Sequence, residues 1–335
     1  RRLWDLYAHR VVPYQFSQVA WTGTTPTKHY AISHSWTDTM SGEFAQPGID
    51  SPVNEHRWPV PLPRGVTLEA VRNELLNLEV GPGEVGAEYV WLDVVCLRQH
   101  GDSRNEKVRL MEWRIDVPMI GRIYSHALRV VRYYNGLGVA FQAFGWNNER
   151  HWLRRAWTVQ EISTRTIQAG LPLSIANPLD VVCMDDPYNR RPLRDRLRSV
   201  MRLEHAIETG FSALQDILLL IQEMRPRQAT RPVDKIVALC SLLRLTQIPM
   251  YSEDMDLEDV WALHIKYMPI RLQTAFLWLF DRTGLGKYKW RPSWEQLMTG
   301  GFAIVKHWKI PDDNFNMQAT DDGSVSSPVQ VFDGW

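Results

Sequence analysis

The chain has 335 residues, enough for one large domain or two ordinary ones with a substantial core. Acidic and basic residues are equal at 38 each, so no global field recruits nucleic acid or an anionic membrane. Three cysteines, Cys96, Cys183 and Cys240, stand far apart without CxxC or Cys/His zinc spacing, which argues against a metal site and for a reducing, cytoplasmic setting.

In chain order, the opening Arg1-Arg2-Leu3-Trp4 has no initiator Met and no signal-peptide pattern, and is expected to begin a piece of something longer. Tyr30-Ala31-Ile32-Ser33 reads as a buried strand followed by a polar-aromatic turn, His34-Ser35-Trp36-Thr37-Asp38. Residues 40–65, rich in Pro and Gly, read as a long irregular insertion of the sort that shapes sites. Leu68 to Leu76 has helical spacing, and Tyr89 to Val95 is a near-continuous apolar run expected to be a second strand with Asp93 towards its end. The stretch from Asn105 to Tyr124 predicts two helices broken at Pro118, with Asp116 as N-cap of the second. A third strand is expected over Ala127 to Tyr134, a helix over Arg155 to Glu161, and a further strand over Ile167 to Gly170 and Leu171 to Ile175.

Beyond residue 178 the pattern turns helical, at Phe211 to Met224, Val233 to Leu243 and Leu257 to Met268. Ile217-Leu218-Leu219-Leu220-Ile221 falls well short of the roughly 20 residues a membrane span needs and reads as buried helix between Asp216 and Glu223. Arg190, Arg191, Arg194, Arg196 and Arg198 are interleaved with Asp195 and Glu204, the pattern of a solvated helix face. Asp312 to Ser327 is polar enough to be partly disordered. Alternating strands and helices predict an α/β layer with a parallel sheet over residues 1–177 and a mainly helical extension over 178–335 packed on it.

Ligands of open α/β sheets bind outside the carboxyl ends of the strands, which gathers Ser33 to Trp36, Asp93 to Gln99 and the loop after Tyr134 around one crevice. In a helix, Trp157 and Glu161 share a face and would set a carboxylate against an indole. There is no GxSxG elbow, HExxH, Walker loop or GxGxxG after the first strand. Cys96, just past a strand, is a candidate nucleophile with His34 or His100, although a buried cysteine is usually packing.

Three ordered segments, Tyr30-Ala31-Ile32-Ser33-His34-Ser35-Trp36, Val90 to Gln99, and Arg155-Ala156-Trp157-Thr158-Val159-Gln160-Glu161, resemble the heterokaryon incompatibility (HET) domain of filamentous fungi. Ile123-Tyr124-Ser125-His126-Ala127, Arg231 to Ile236 and Pro292-Ser293-Trp294 extend the resemblance, and Arg2 to Tyr7 looks like the lead-in of mushroom-type members. Its core covers residues 28–165. The resemblance implies a distant relation to TIR domains, hence a TIR-like, flavodoxin-like parallel sheet flanked by helices.

Several TIR domains cleave NAD with a glutamate four residues after a tryptophan, and Trp157 and Glu161 stand in that relation. The resemblance thus implies Glu161 as catalytic carboxylate. Ser33, His34, Trp36 and Asp93 would lie at the strand ends that bind substrate, Trp157 or Trp36 would stack on a ring, and Arg155 would meet a phosphate. Thr158 stands where TIR sequences often have Cys, and residues 40–65 have no simple TIR counterpart. The implied activity is nicotinamide release from NAD, a substrate and not a bound cofactor, in fungal incompatibility and cell death. Self-association and a partner that senses non-self are implied with it. Alternatives are a non-catalytic HET signalling or oligomerisation module, and a small-molecule hydrolase using Cys96 or Ser33.

Overall fold

Tyr30-Ala31-Ile32-Ser33-His34 is buried at every position, as a strand covered on both faces must be. In this computed structural model, which describes residues 1–14, 28–41, 43–78, 86–101, 105–171, 177–185, 191–210, 214–270, 272–273, 276, 283–300, 318–319 and 325–326, that segment is the middle of a six-stranded sheet. The strands are β1 (Arg2–Asp5), β2 (Arg10–Pro13), β3 (Tyr30–His34), β4 (Tyr89–Trp91), β5 (Arg129–Tyr133) and β6 (Thr166–Gln168), in the order β2-β1-β4-β3-β5-β6. β4, β3, β5 and β6 run parallel, with Ser33 opposite Arg132 and His34 opposite Tyr133, and β1 pairs antiparallel to both β2 and β4. The fold is α/β. Counted among themselves, the parallel strands run second, first, third, fourth, the order of flavodoxin-like sheets, with its switch point between β3 and β5.

The expected second strand is shorter than its apolar run. It ends at Trp91, and Asp93–Cys96 coils into a short helix, α2, after the longer α1 (Leu68–Leu76). Val94, Val95 and Cys96 stay buried, and burial makes strand end and helix look alike in sequence. The third strand likewise contracts to Arg129–Tyr133. Asp116 ends α3 (Glu106–Asp116) and takes the N-cap position of the turn that follows, as expected, but its side chain makes no capping bond and lies 3.7 Å from Arg1. A 3-10 turn over Val117–Met119 takes Pro118 in its first positions, where no donor is missed, and leads into α4 (Ile120–His126).

The β1–β2 hairpin has no counterpart among the expected elements. The insertion over 40–65 is anchored by an Ile49–Val60 bridge, a 3-10 turn at Pro52–Asn54, and buried Trp58, whose ring is met by the guanidinium groups of Arg2 (4.9 Å) and Arg98 (5.1 Å).

The second half supplies α5 (Pro178–Asp185), α6 (Arg191–Glu208), α7 (Leu214–Met224), α8 (Pro232–Val237), α9 (Leu257–Tyr267) and α10 (Trp294–Thr299). Leu193, Leu197, Val200 and Leu203 form the buried stripe of α6. The basic face expected to be solvated is only partly so: Arg198 is exposed, but Arg196 turns inward to Glu223 at 2.8 Å. Arg190, residues 172–176 of the expected strand, Phe211 and most of Asp312 to Ser327 lie outside the described residues; within the last, Gln318–Ala319 pairs with Val325–Ser326. One apolar cluster runs from Leu3 in β1 to Leu297 in α10, so both halves share a core. Among the described residues no helix is long and apolar enough to cross a membrane.

Candidate active site

The carboxyl end of β3 sends consecutive side chains to different partners. Ser33, fully buried, donates its hydroxyl to Glu161 Oε2 at 2.6 Å and accepts the Trp152 indole N–H at 2.7 Å. The next residue, His34, reaches Asp93 Oδ1 through Nε2 at 2.8 Å, while its Nδ1 faces the Ser35 carbonyl at 3.2 Å. Asp93 also accepts the Trp36 indole N–H at 2.7 Å and the Val94 backbone N–H at 2.7 Å.

Glu161 ends a five-residue 3-10 turn, Trp157–Glu161, where an α-helix was expected. The premise that Trp157 and Glu161 share a face is thereby corrected, because at three residues per turn positions four apart lie about 120° apart around the axis. Trp157 instead turns to the second half: its indole bonds Asp234, which accepts the Tyr251 hydroxyl at 2.8 Å, and its ring meets Tyr251 edge-on at 6.4 Å. Arg155 is half-buried, and among the described residues its guanidinium has no ion-pair or hydrogen-bond partner. Close approach of α4 to this turn depends on Gly121, where a Cβ would lie 2.3 Å from Ser241 Oγ and 2.8 Å from Gln160 Oε1.

Arg227 fastens the turn from behind. Fully buried, it donates to the carbonyls of Trp152 (3.2 Å) and Arg155 (2.8 Å), to Thr158 Oγ1 (2.6 Å) and to Glu223 (2.8 Å). The Ala156 N–H adds a bond to the Gln228 carbonyl at 2.8 Å. Backbone groups that a short 3-10 turn leaves open are thus satisfied from the helical half.

One cleft, with a cavity volume of about 310 Å³, is lined by His34, Trp36, Asp93, Arg155, Trp157 and Glu161. Of the site residues that the resemblance implies, Ser33 alone does not line it; it stands behind Glu161 and holds the carboxyl in place. Thr230, Arg231, Asp234, Tyr251 and Glu253 complete the wall from the second half. Sequence reasoning missed Trp152, Arg227, Asp234 and Tyr251 as site residues. The Arg231 to Ile236 segment gave a signal for Asp234, whereas nothing in the sequence tied Tyr251 or Arg227 to Glu161.

The carboxyl groups are driven apart. Burial pushes Glu161 up to about 8, against the Ser33 hydrogen bond and the His34 charge, with Asp93 adding repulsion. Burial acts on Asp93 too, but His34, Trp36 and the Val94 N–H outweigh it and hold Asp93 below the usual carboxylate range. For His34, burial opposes the charge, and Asp93 with Glu161 and the Ser35 carbonyl overcomes it, so its pKa is raised. Both ring nitrogens face acceptors, the arrangement of an imidazolium donating twice. Burial, then the Glu161 charge, raises the Tyr124 phenol well above its ordinary value; its hydroxyl donates to the Ile32 carbonyl at 2.8 Å.

Cys96 is buried, its thiol pushed up to about 12 by burial and directed at the Val90 carbonyl, which leaves little thiolate for a nucleophile. The cleft therefore offers a carboxyl that burial keeps protonated near neutral pH, a fixed carboxylate beside it, a guanidinium without a partner among the described residues, and aromatic walls. Such a set can grip a polar, ring-bearing ligand and stabilise developing positive charge once Glu161 ionises. Comparison with known proteins returned no matching family model, no matching curated protein and no matching solved structure.

Proposed function

We propose that the chain is a TIR-like NAD glycohydrolase of the fungal incompatibility type, with Glu161 as its catalytic carboxylate. The observation that carries this reading is the convergence of Glu161, Asp93, His34, Trp36, Arg155 and Trp157, from three distant segments, on one cleft. Nicotinamide leaves a cationic pyridinium as a neutral molecule, so the C1′–N bond breaks without protonation of the leaving group. The bonding pair goes to the ring nitrogen, and water captures C1′ with loss of a proton. A carboxylate over the ribose stabilises the oxocarbenium-like transition state. Burial favours the protonated form of Glu161 near neutral pH, and an entering pyridinium favours its ionised form, so binding expels a proton.

The test is nicotinamide release by the purified protein at several protein concentrations. Glu161→Gln and Glu161→Ala are each expected to lose about 10²–10³-fold in kcat, and wild-type kcat/KM should rise with pH until Glu161 is ionised, levelling above about 8. Equal turnover in the variants removes Glu161 from the mechanism. A second reading, a non-catalytic module that acts by self-association, is favoured by the exposed apolar face of α3, where Val108, Met111 and Ile115 follow one another at helical spacing. No turnover at any concentration, with association observed, selects that reading.

A further inference from the structure

A second, shallower pocket of about 200 Å³ opens between the loop after β3 and the loop after β5, at the switch point of the sheet. The extended backbone separates it from the main cleft by alternation: His34 and Trp36 line the cleft, Ser35 and Thr37 the pocket. Arg150 stands at the partition, donating to Ser41 of the cleft wall and paired with Asp38 at 2.5 Å.

The lining is rich in donors. Asn148 Oδ1 accepts the Arg150 N–H at 2.8 Å, which leaves its NH₂ group as a donor for a ligand, whereas Asn135 pairs with Gln142 at both ends of its amide, accepting the N–H at 2.9 Å and donating to the carbonyl at 3.4 Å. His151 accepts the Leu153 N–H on Nδ1, which puts its proton on Nε2, and that buried Nε2–H has no partner among the described residues. Burial, with Arg227 adding repulsion, holds the ring neutral by lowering its pKa to about 4. The Ser35 hydroxyl also lacks a protein partner among the described residues. Asp38, the one acid in the wall, is occupied by Arg150. Donors thus converge where Asp38 is the one charged acceptor, a lining that suits an acceptor-rich ligand.

We infer that this pocket is a phosphate-class oxyanion site, distinct from the cleft of Glu161, in which Ser35, Asn148, Arg150 and His151 hold the anion. The ligand is free phosphate or the phosphate of a nucleotide. Calorimetric titration of the whole chain with inorganic phosphate at constant ionic strength is expected to give saturable binding that acetate and chloride do not reproduce. Asn148→Asp keeps the acceptor that caps Arg150 and sets a negative charge where the amide donor was, and it should weaken phosphate about tenfold or more. Ser35→Ala, a deletion of one hydroxyl, should weaken it several-fold and carries the test if the first variant fails to fold. Arg198→Ala, an exposed arginine that lines neither the pocket nor the cleft, should leave phosphate binding intact.

Absence of saturable phosphate binding overturns the proposal, as does binding that acetate matches. Loss in Arg155→Gln with retention in Asn148→Asp overturns it too, by moving the anion to the cleft. Competition by adenosine 5′-monophosphate identifies a nucleotide phosphate as the ligand, and phosphate that the nucleotide does not displace identifies the free ion; either result supports the site. Because no readout depends on nicotinamide release, failure here leaves the Glu161 reading standing, and the reverse holds.

Discussion

Two buried glutamates, Glu161 and Glu223, sit on either side of the turns that run from Trp152 to Glu161, and their surroundings differ. Glu223 has no exposure and meets Arg227 at 2.8 Å, Arg196 at 2.8 Å and Ser199 Oγ at 2.9 Å, so both oxygens are compensated by charge. Glu161 has the Ser33 hydroxyl; the cation that most favours its charge, His34, is committed to Asp93. A carboxylate with two guanidinium partners is held as a strut. A carboxyl left short of charge beside a cavity is set to respond to whatever cation enters.

The contrast breaks most sharply at Arg227. Arg227→Met leaves the Glu223 charge to Arg196 and Ser199 alone and frees the carbonyls of Trp152 and Arg155, and urea unfolding should register a loss of about 3–5 kcal/mol; a change under ~1 kcal/mol would show that Glu223 is no strut. Glu161 sharpens the other side through pH. Its folded pKa lies above the ordinary 4.5, so the folded form holds a proton that the unfolded chain gives up. Wild-type stability contributed by this proton is complete below about 4.5 and is lost as pH rises through about 8. Glu161→Gln, which cannot ionise, should therefore gain on wild type across that window, towards an upper value on the order of 4 kcal/mol; parallel stability curves for the two proteins would contradict the assignment. Least affected should be Arg198→Ala, whose exposed contact with Asp195 spans 3.9 Å, with a stability change within about 0.5 kcal/mol.

Much of the sheet was legible because covered parallel strands make continuous apolar runs, as at Tyr30 to Ser33 and Val130 to Tyr133. The same signal failed after Trp91, where α2 is as buried as the strand before it. β1 and β2, four residues each, are too short for alternation to show. Within the candidate site, the sequence brought His34 and Asp93 together by the strand-end rule and Glu161 by the resemblance. It misassigned the geometry of Glu161, because Trp157–Glu161 takes its bonds from Arg227 and so need not complete an α-helical turn. Tyr251 and Arg227 lie some 70 to 90 positions from the residues they serve, and no spacing rule reaches that far.

The bonds of Arg227 and Gln228 to the Trp152–Thr158 stretch bear on how the chain can be divided. A boundary near residue 177 looks natural on the sheet, yet it passes through the cleft wall and through the hydrogen bonds that shape the turn bearing Glu161. A fragment of residues 1–177 would expose the carbonyls of Trp152 and Arg155 and lose Asp234 from the Trp157 indole. The α/β half and the helical half are therefore one cooperative unit at this seam, and what loosens the helices loosens the carboxyl.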